Sequence, residues 1–565
     1  MTVFPFSASR FGRRFGAIAT AATLCALTIP GIGHAWTENP STVNLATTGS
    51  WGSVVTSDNS GNTYQAVNYN GSITIGSFTV NSDSVSTSAY AFVKYNSEGV
   101  AQWVANTGIN YQQFDIQAIT ADNNGNLYVS GSFQNTVTIA SITLTSNGST
   151  DGFVAKINNA GSWVWIKQIG GVDADWAPGV DTDSAGNVYV SGGFQSSMTV
   201  GSTTLTSAGS YDLFITKLDT SGNFQWAGKL GGIGDDNSGW LSSLAVDASG
   251  NSYISGGMNS SFTVNGTTYS SVGARDAFVA KFGPTGTFMW AASAGSTNSD
   301  YVYGIALDTS SNVYVSGNIS GNATFGSTSL TNNGGTDAYI AKLSSSGVWQ
   351  WAANIGGSTS EEGYSIAVDS SNSPVMAGTF EGSITIGGTT LTSVGMNDGF
   401  IAKWNSTGNF QWAKAVGGSM YDELYGVTVN SNGNIYVSGY VRSATPIFFP
   451  NAPSIATTFG GYVNIFGAIS PIGGPATTTT STTPTTSTTS TTSTTLVTTT
   501  TTPVTSTTTT LAPSFVTKST SNKSLPTTGA AQSEMWVITG LGMLLFGIAV
   551  VASRRRLVNN DHAVD

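Results

Sequence analysis

A phrase of about 61 residues returns seven times along this 565-residue chain. Its first tag, aromatic-Val-Ser-Gly or a close variant, begins at Tyr64, Tyr128, Tyr189, Tyr253, Tyr314, Val375 and Tyr436. Its second ends at Trp103, Trp165, Trp226, Trp290, Trp351 and Trp412. A fixed period of this length marks a repeat architecture, in which each unit buries its apolar face only against its neighbours. Most of the chain is therefore one large unit.

The unit over residues 363–413 shows what one repeat builds. Tyr364–Asp369 reads as a short apolar strand, Ser370–Asn372 as a turn, Pro374–Phe380 as a second strand and Asp398–Lys403 as a third. Phe410–Ala413 begins a fourth. Four antiparallel strands repeated radially describe a propeller blade. Burial on both faces explains why these strands lack strict polar alternation. The seventh unit has strands at Tyr425–Asn430, Asn434–Val441 and Gly461–Ser470, but no Trp-bearing fourth. The segment Ser41–Gly49 can supply it, which would tie a ring shut and protect its edge. The expected fold is all-β, a seven-bladed β-propeller over residues 36–475.

The run Asp276–Lys281, then Gly286, Trp290, Ile305–Asp308 and Asn312–Gly317, resembles the bacterial seven-bladed β-propeller repeat family (SBBP). The likeness covers about Ser41–Ser470. It implies a fold and an extracytoplasmic setting, but no single activity. Tyr90 departs from the pattern, standing where other units have Asp151, Asp212, Asp276, Asp337 and Asp398. A weaker likeness, Gly-x-x-x-Trp at Gly222–Trp226, Gly286–Trp290, Gly347–Trp351 and Gly408–Trp412, is to quinone-cofactor dehydrogenase propellers. The simpler role for that Trp is to pack one blade on the next.

The two ends read as addresses. Arg10, Arg13 and Arg14 precede the apolar run Phe15–Ile32 and the small-x-small site Gly33-His34-Ala35, a secretory signal peptide over residues 1–35 for signal peptidase. Arg13-Arg14 invites a twin-arginine reading, but the flanks fit ordinary secretion better. Ala476–Ser524 is almost all Thr and Ser with scattered Pro, too poor in apolar residues for a core. Such a stalk extends by about 3.1 Å per residue. Leu525-Pro526-Thr527-Thr528-Gly529, the apolar run Met535–Ala552 and Arg554–Arg556 resemble the cell-wall sorting signal (LPxTG) of Gram-positive surface proteins. The resemblance implies that a sortase joins Thr528 to peptidoglycan, making residues 525–565 a sorting signal. The apolar run is long enough for a transmembrane helix, so the alternative is a single-pass plasma-membrane anchor.

Between these ends lie 11 of the 19 Lys+Arg and 27 of the 30 Asp+Glu, a net charge of −16. Such a body repels phosphate backbones, which argues against nucleic acid as a partner. Cys25, His34 and His562 all lie in the terminal segments. The body thus lacks Cys nucleophiles, His bases and His- or Cys-ligated zinc.

Three recurring positions could carry chemistry. Asp58, Asp122, Asp183 and Asp247 each sit in Asp-x-x-Gly-Asn, which suits an Asx turn. Calcium is the weaker reading, since one carboxylate per turn falls short of six to eight oxygens. Lys94, Lys156, Lys217, Lys281, Lys342 and Lys403 each lie five after the strand-start Asp where it exists, and inter-blade pairing is expected. The loops from each fourth strand to the next blade hold Asp173, Asp175 and Trp176; Asp235, Asp236 and Trp240; Asp300 and Tyr301; Glu361, Glu362 and Tyr364; and Asp422, Glu423 and Tyr425. On one propeller face they would form an acidic funnel rimmed by aromatics, suited to sugars or cations. Their plainer role is to cap turns and keep the surface soluble. Small hairpins such as Thr199–Leu205, Thr263–Tyr269 and Thr385–Leu391 would decorate the same face.

These readings lead to a secreted, wall-anchored propeller on a stalk, binding or adhering to an extracellular glycan or protein, with no required cofactor. The alternative is a surface glycosidase or lyase using carboxylate pairs. Against it, the pairs recur in several blades, whereas a catalytic site breaks symmetry.

Overall fold

The computed structural model describes residues 36–38, 45–46, 54–82, 88–109, 113–238, 243–441 and 463–471. All the regular structure among them is β-strand. No helix among the described residues is long and apolar enough to cross a membrane. The chain divides into two compact units, Met1–Thr479 and Thr480–Asp565. The second lies outside the described residues, as do the signal-peptide, LPTTG and apolar-run readings.

The first unit is an all-β propeller of antiparallel sheets. Among the described residues it holds six complete blades of the four-stranded plan, not the seven regular blades expected. Blade 1 comprises Val55–Ser57, Thr63–Asn70, Ser88–Tyr95 and Ala101–Asn106; blade 2, Phe114–Ala121, Leu127–Phe133, Asp151–Ile157 and Trp163–Ile169. Blade 3 runs through Trp176–Thr182, Val188–Val200, Thr203–Leu218 and Phe224–Leu230. In blade 4 the first strand is split into Asn237–Ser238 and Leu244–Val246, followed by Ser252–Met258, Asp276–Phe282 and Phe288–Ala294. Blade 5 has Tyr301–Leu307, Val313–Ile319, Asp337–Leu343 and Trp349–Ile355; blade 6, Glu361–Val368, Pro374–Ile386, Thr389–Trp404 and Phe410–Val416.

The last sheet departs from this plan because the repeat pattern stops after Val441. Asp422–Val429 and Ile435–Val441 pair as usual, but the third strand is Val463–Pro471. Among the described residues no Trp-bearing strand follows it. Instead Trp36–Glu38 and Leu45–Ala46, from the other end of the chain, both pair antiparallel with Val463–Pro471.

First strands pack on first strands from one blade to the next, and Asp422–Val429 packs back on Val55–Ser57. Across that seam Ser57 Oγ donates to the Val429 carbonyl at 3.1 Å and lies 2.9 Å from Thr428 Oγ1. First strands therefore face the ring's middle and fourth strands its outside.

The Trp and Tyr tags join neighbours. The indole N–H of Trp103 donates to the Asn159 carbonyl of the next blade at 2.9 Å, and Trp165, Trp226, Trp290 and Trp351 do the same to Thr220, Pro284, Ser345 and Ser406. The turn of the next blade must lie flat against the indole. Gly347 has φ +83°, and a Cβ there would fall 2.7 Å from Trp290. Tyr64, Tyr128, Tyr189, Tyr253 and Tyr314 are fully buried beside these rings, 6.0–6.1 Å between centroids.

Turn aspartates fix each first hairpin, as the Asx-turn reading predicts. Asp58 Oδ1 accepts the Ser60 and Asn62 backbone N–H groups, both at 2.9 Å, while Oδ2 accepts Asn62 Nδ2 at 2.7 Å and the Tyr64 hydroxyl at 2.9 Å. Both oxygens are thus engaged within the protein. The repeated lysine pairs with this turn aspartate rather than with the strand-start one: Lys217–Asp183 is 3.2 Å, Lys342–Asp308 3.4 Å and Lys403–Asp369 2.6 Å. Antiparallel register explains it, since Tyr189 stands opposite Lys217 and the lysine lies over that ring. The inter-blade part of the expectation survives as bonds to the next blade's carbonyls, Lys156 to Thr220 and Lys342 to Ser406.

The inserted hairpins form two-stranded ribbons with an apolar side and a threonine side. In Thr136–Ile139, Val137 and Ile139 are buried, while Thr136 and Thr138 face outward and pair with Thr145 and Thr143 at 2.9 Å. Ribbons also clasp the preceding blade: Gly171, Gly295 and Gly356 bridge to Met198, Thr324 and Thr385.

Candidate ligand site on the inner strands

The structure splits the acidic candidates into two groups. Asp175, Asp236, Asp300, Glu361 and Asp422 are buried, so they form no open funnel; this corrects the expectation. Each closes its own loop by accepting the backbone N–H four residues earlier, at 2.6 Å from Gly171, 2.7 Å from Gly232, 2.9 Å from Gly357 and 2.6 Å from Gly418. Asp300 receives the Ser296 N–H in the same way. A second bond reaches into the next hairpin: Gln195 N–H to Asp175 at 3.1 Å, Asn259 N–H to Asp236 at 2.9 Å, Ser320 N–H to Asp300 at 3.0 Å. The carboxylate thus satisfies amides of the turn that would otherwise need another acceptor.

A strand-start aspartate lies beside each of these acids. Asp151, Asp212, Asp276, Asp337 and Asp398 are all buried and raise the pKa of, or are raised by, their junction partners. Burial, then the neighbouring charge, pushes Asp175 and Glu361 up to about 7 and Asp398 up to about 6. In blade 1 the departure at Tyr90 has a purpose: its hydroxyl donates to Asp115 Oδ1 of the next blade at 2.9 Å.

The second group stays together on the inner strands. Tyr301, Glu362, Tyr364, Glu423 and Tyr425 are half-buried there, with Tyr303, which sequence reading missed. Tyr303, Tyr364 and Tyr425 recur at steps of 61, a signal present but masked by the stronger tags. Their rings form a chain over three neighbouring sheets: Tyr301–Tyr303 at 6.0 Å, Tyr303–Tyr364 at 5.6 Å and Tyr364–Tyr425 at 5.0 Å between centroids. The Tyr425 hydroxyl bonds Glu423. Burial, opposed by a bond from Tyr364 and reinforced by the charge of Glu423, pushes the Glu362 carboxyl up. Burial, with Glu362 next, holds the Tyr303 and Tyr364 hydroxyls well above the usual phenol range. Side chains that touch solvent and are still desolvated suit the wall of a narrow mouth.

Blade 5 adds polar groups that sequence could not single out. Asn318 stands opposite Tyr301 in the sheet and bonds the Tyr303 hydroxyl. It is 3% exposed, and its Oδ1 has no partner; the fully buried Tyr339 hydroxyl also lacks one. Arg275 closes the blade 4 side, 2.9 Å from Asp235 and over the Tyr301 ring at 5.5 Å. Trp176 instead packs tilted against Tyr211, 4.7 Å between centroids, beside half-buried Asp173. Trp240 lies outside the described residues. Among the described residues, no group of three or more His, Cys, Asp or Glu is placed to hold a metal.

Residues 164–192 and 290–322, each running from a fourth strand into the next blade, match the beta-propeller repeat family SBBP. Those two stretches are similar to the SBBP repeat. An uncharacterized WD repeat-containing protein of Acanthamoeba polyphaga mimivirus is 27% identical over 358 residues, 51% of this chain and 26% of the viral protein. The chain thus matches about a quarter of that relative's length. Among solved structures, the Pan2 WD40 domain of Neurospora crassa aligns with 73% of this chain and 88% of its own at 8% identity, TM-score 0.37. The beta-propeller domain of the Trilobed protease from Pyrococcus furiosus aligns with 70% and 89% at 6% identity, TM-score 0.33. Neither likeness carries a functional argument. The recurring tags build the same blade each time, while the inner-strand residues differ between blades.

Proposed function

We propose that this chain is an extracellular binding module whose ligand enters the ring's mouth beside blades 5 and 6 and the closing sheet. The observation that carries the reading is the confinement of Tyr303, Tyr364, Tyr425, Glu362 and Glu423 to three successive inner strands. The matching positions of blades 2 and 3 hold Gln117 and Pro178 in place of tyrosine, and Asp115 and Trp176 in place of glutamate. Structural repeat residues recur in every blade; a binding site breaks the repetition. On this reading the last sheet is a seventh blade, completed by the N-terminal strands. Secretion through residues 1–35, display on the Ala476–Ser524 stalk and sortase attachment through Thr528 fit a surface role, with glycan or protein as ligand.

The adjacent Glu362 and Glu423 also support a second reading, glycoside hydrolysis or lyase chemistry by a carboxylate pair. A glycan array and a polysaccharide-hydrolysis screen on the whole chain separate the two. Retention without turnover is the expected result. Release of reducing sugar, lost in Glu362→Gln, would establish the enzyme instead.

A further inference from the structure

The row of tyrosines and its two glutamates say more about the ligand than its location. We propose that this mouth takes a primary-ammonium ligand, an amine-bearing chain seated between Glu362, Glu423 and the faces of Tyr303 and Tyr364. The inference rests on the reading that the mouth is a binding site.

Three observations converge on an ammonium group. Glu362 and Glu423 occupy the same register on neighbouring inner strands, close enough that the charge of one bears on the other. Holding two like charges together costs energy that a bound cation relieves. Arg275, at the same mouth, is committed to Asp235 and does not fill that role. The tyrosine faces, linked at 5.0–5.6 Å from Tyr303 to Tyr425, attract a cation through their quadrupoles. Third and independent of the acids, Asn318 is 3% exposed and its Oδ1 acceptor has no partner, while its side chain bonds the hydroxyl of Tyr303. A buried acceptor without a donor is costly, and an N–H of the ligand answers it. A primary ammonium supplies three donors, where a quaternary one supplies none.

Competing ligand classes fit less well. A neutral sugar gains no relief of the glutamate repulsion. Calcium wants six to eight oxygens, and among the described residues no group of three or more His, Cys, Asp or Glu is placed to hold a metal. The −16 charge of the body raises the local concentration of cations at any such mouth.

Isothermal titration of the whole chain at low salt tests this with 1,5-diaminopentane, N-acetylglucosamine and calcium chloride as probes. Diaminopentane should bind, and Glu362→Gln/Glu423→Gln should weaken it at least about tenfold, as losing charge-assisted contacts does, with an unchanged melting temperature. If the double variant fails to fold, Glu362→Gln alone should show the loss, and Asn318→Leu should weaken the amine without touching either charge. Binding of the sugar or of calcium with no uptake of the amine would overturn the ammonium inference while leaving a binding mouth. No binding of any probe would overturn both.

Discussion

Asp308 shows how much one residue can hold in this ring. Its carboxylate accepts the Ser310 and Asn312 N–H groups at 2.9 Å, the Asn312 amide and the Tyr314 hydroxyl, and faces Lys342 at 3.4 Å. Asp308→Ala takes the carboxylate from a buried amine and hydroxyl, each left with only a backbone carbonyl, and should cost about 2–4 kcal/mol by denaturant titration. At Gly347, Ala meets both a positive φ and the Trp290 ring, so Gly347→Ala should cost about 1–3 kcal/mol, read as a lower melting temperature. The junction carboxylates set a pH dependence of the opposite sense to the usual one. Their folded pKa values lie above the ordinary carboxylate value, at about 7 for Asp175 and Glu361 and about 6 for Asp398. The folded state therefore holds these protons to higher pH, and their stabilisation, complete below about pH 4, is lost as pH rises through 6–7. Asp183 and Asp308 work against this: burial opposes it, but bonds from Asn187 and Asn312 with the nearby lysines pull them below the ordinary value. Calorimetry should find a melting temperature higher at pH 5 than at pH 8, and Asp175→Asn should flatten that slope. The Asx turns were legible from Asp-x-x-Gly-Asn because the motif is local. The burial of Asp175 and Glu361 was not, since a loop acid that caps amides and one that faces water look alike without the fold.

At the level of elements, strand order followed from the 61-residue period, and the residue 363–413 unit matches its four strands closely. What the period could not show was how ribbons such as Thr136–Thr145 use their apolar side, because threonine and valine alternate alike on a decoration and on a clasp. The end of the last sheet was readable as a missing Trp-bearing strand. The sequence segment expected there, Ser41–Gly49, includes Leu45–Ala46, but Trp36–Glu38 pairs as well. Removing residues 36–46 strips both N-terminal strands from Val463–Pro471, leaves it paired only with Ile435–Val441 and exposes a sheet edge. The truncated protein should melt several degrees lower, by the scale of a few kcal/mol on a large domain, and elute partly as larger species in size-exclusion chromatography. An unchanged melt and a monomeric peak would show that the N-terminal strands do not close the sheet.

Across the whole molecule, the repeats explain why the ring folds, and the breaks in the repeats explain where it could bind. Tyr301, Tyr364, Tyr425, Glu362 and Glu423 were visible as aromatic and acidic loop residues. Tyr303 and Asn318 were hidden, because their importance lies in which neighbours the sheets bring to them. The proposed terminal signals belong to this scale too. If sortase cuts after Thr528, tryptic mapping of the cell-wall fraction should contain no peptide beyond it, whereas recovery of Trp536–Ala552 joined to the body in membranes would contradict wall attachment. The central claim is that ligand enters at the inner strands, and a crystal structure of the protein soaked with 1,5-diaminopentane tests it most directly. Density should appear between Tyr303, Tyr364, Glu362 and Glu423. Density confined to the outer ribbons or the blade junctions, with this mouth holding only water, would contradict the account.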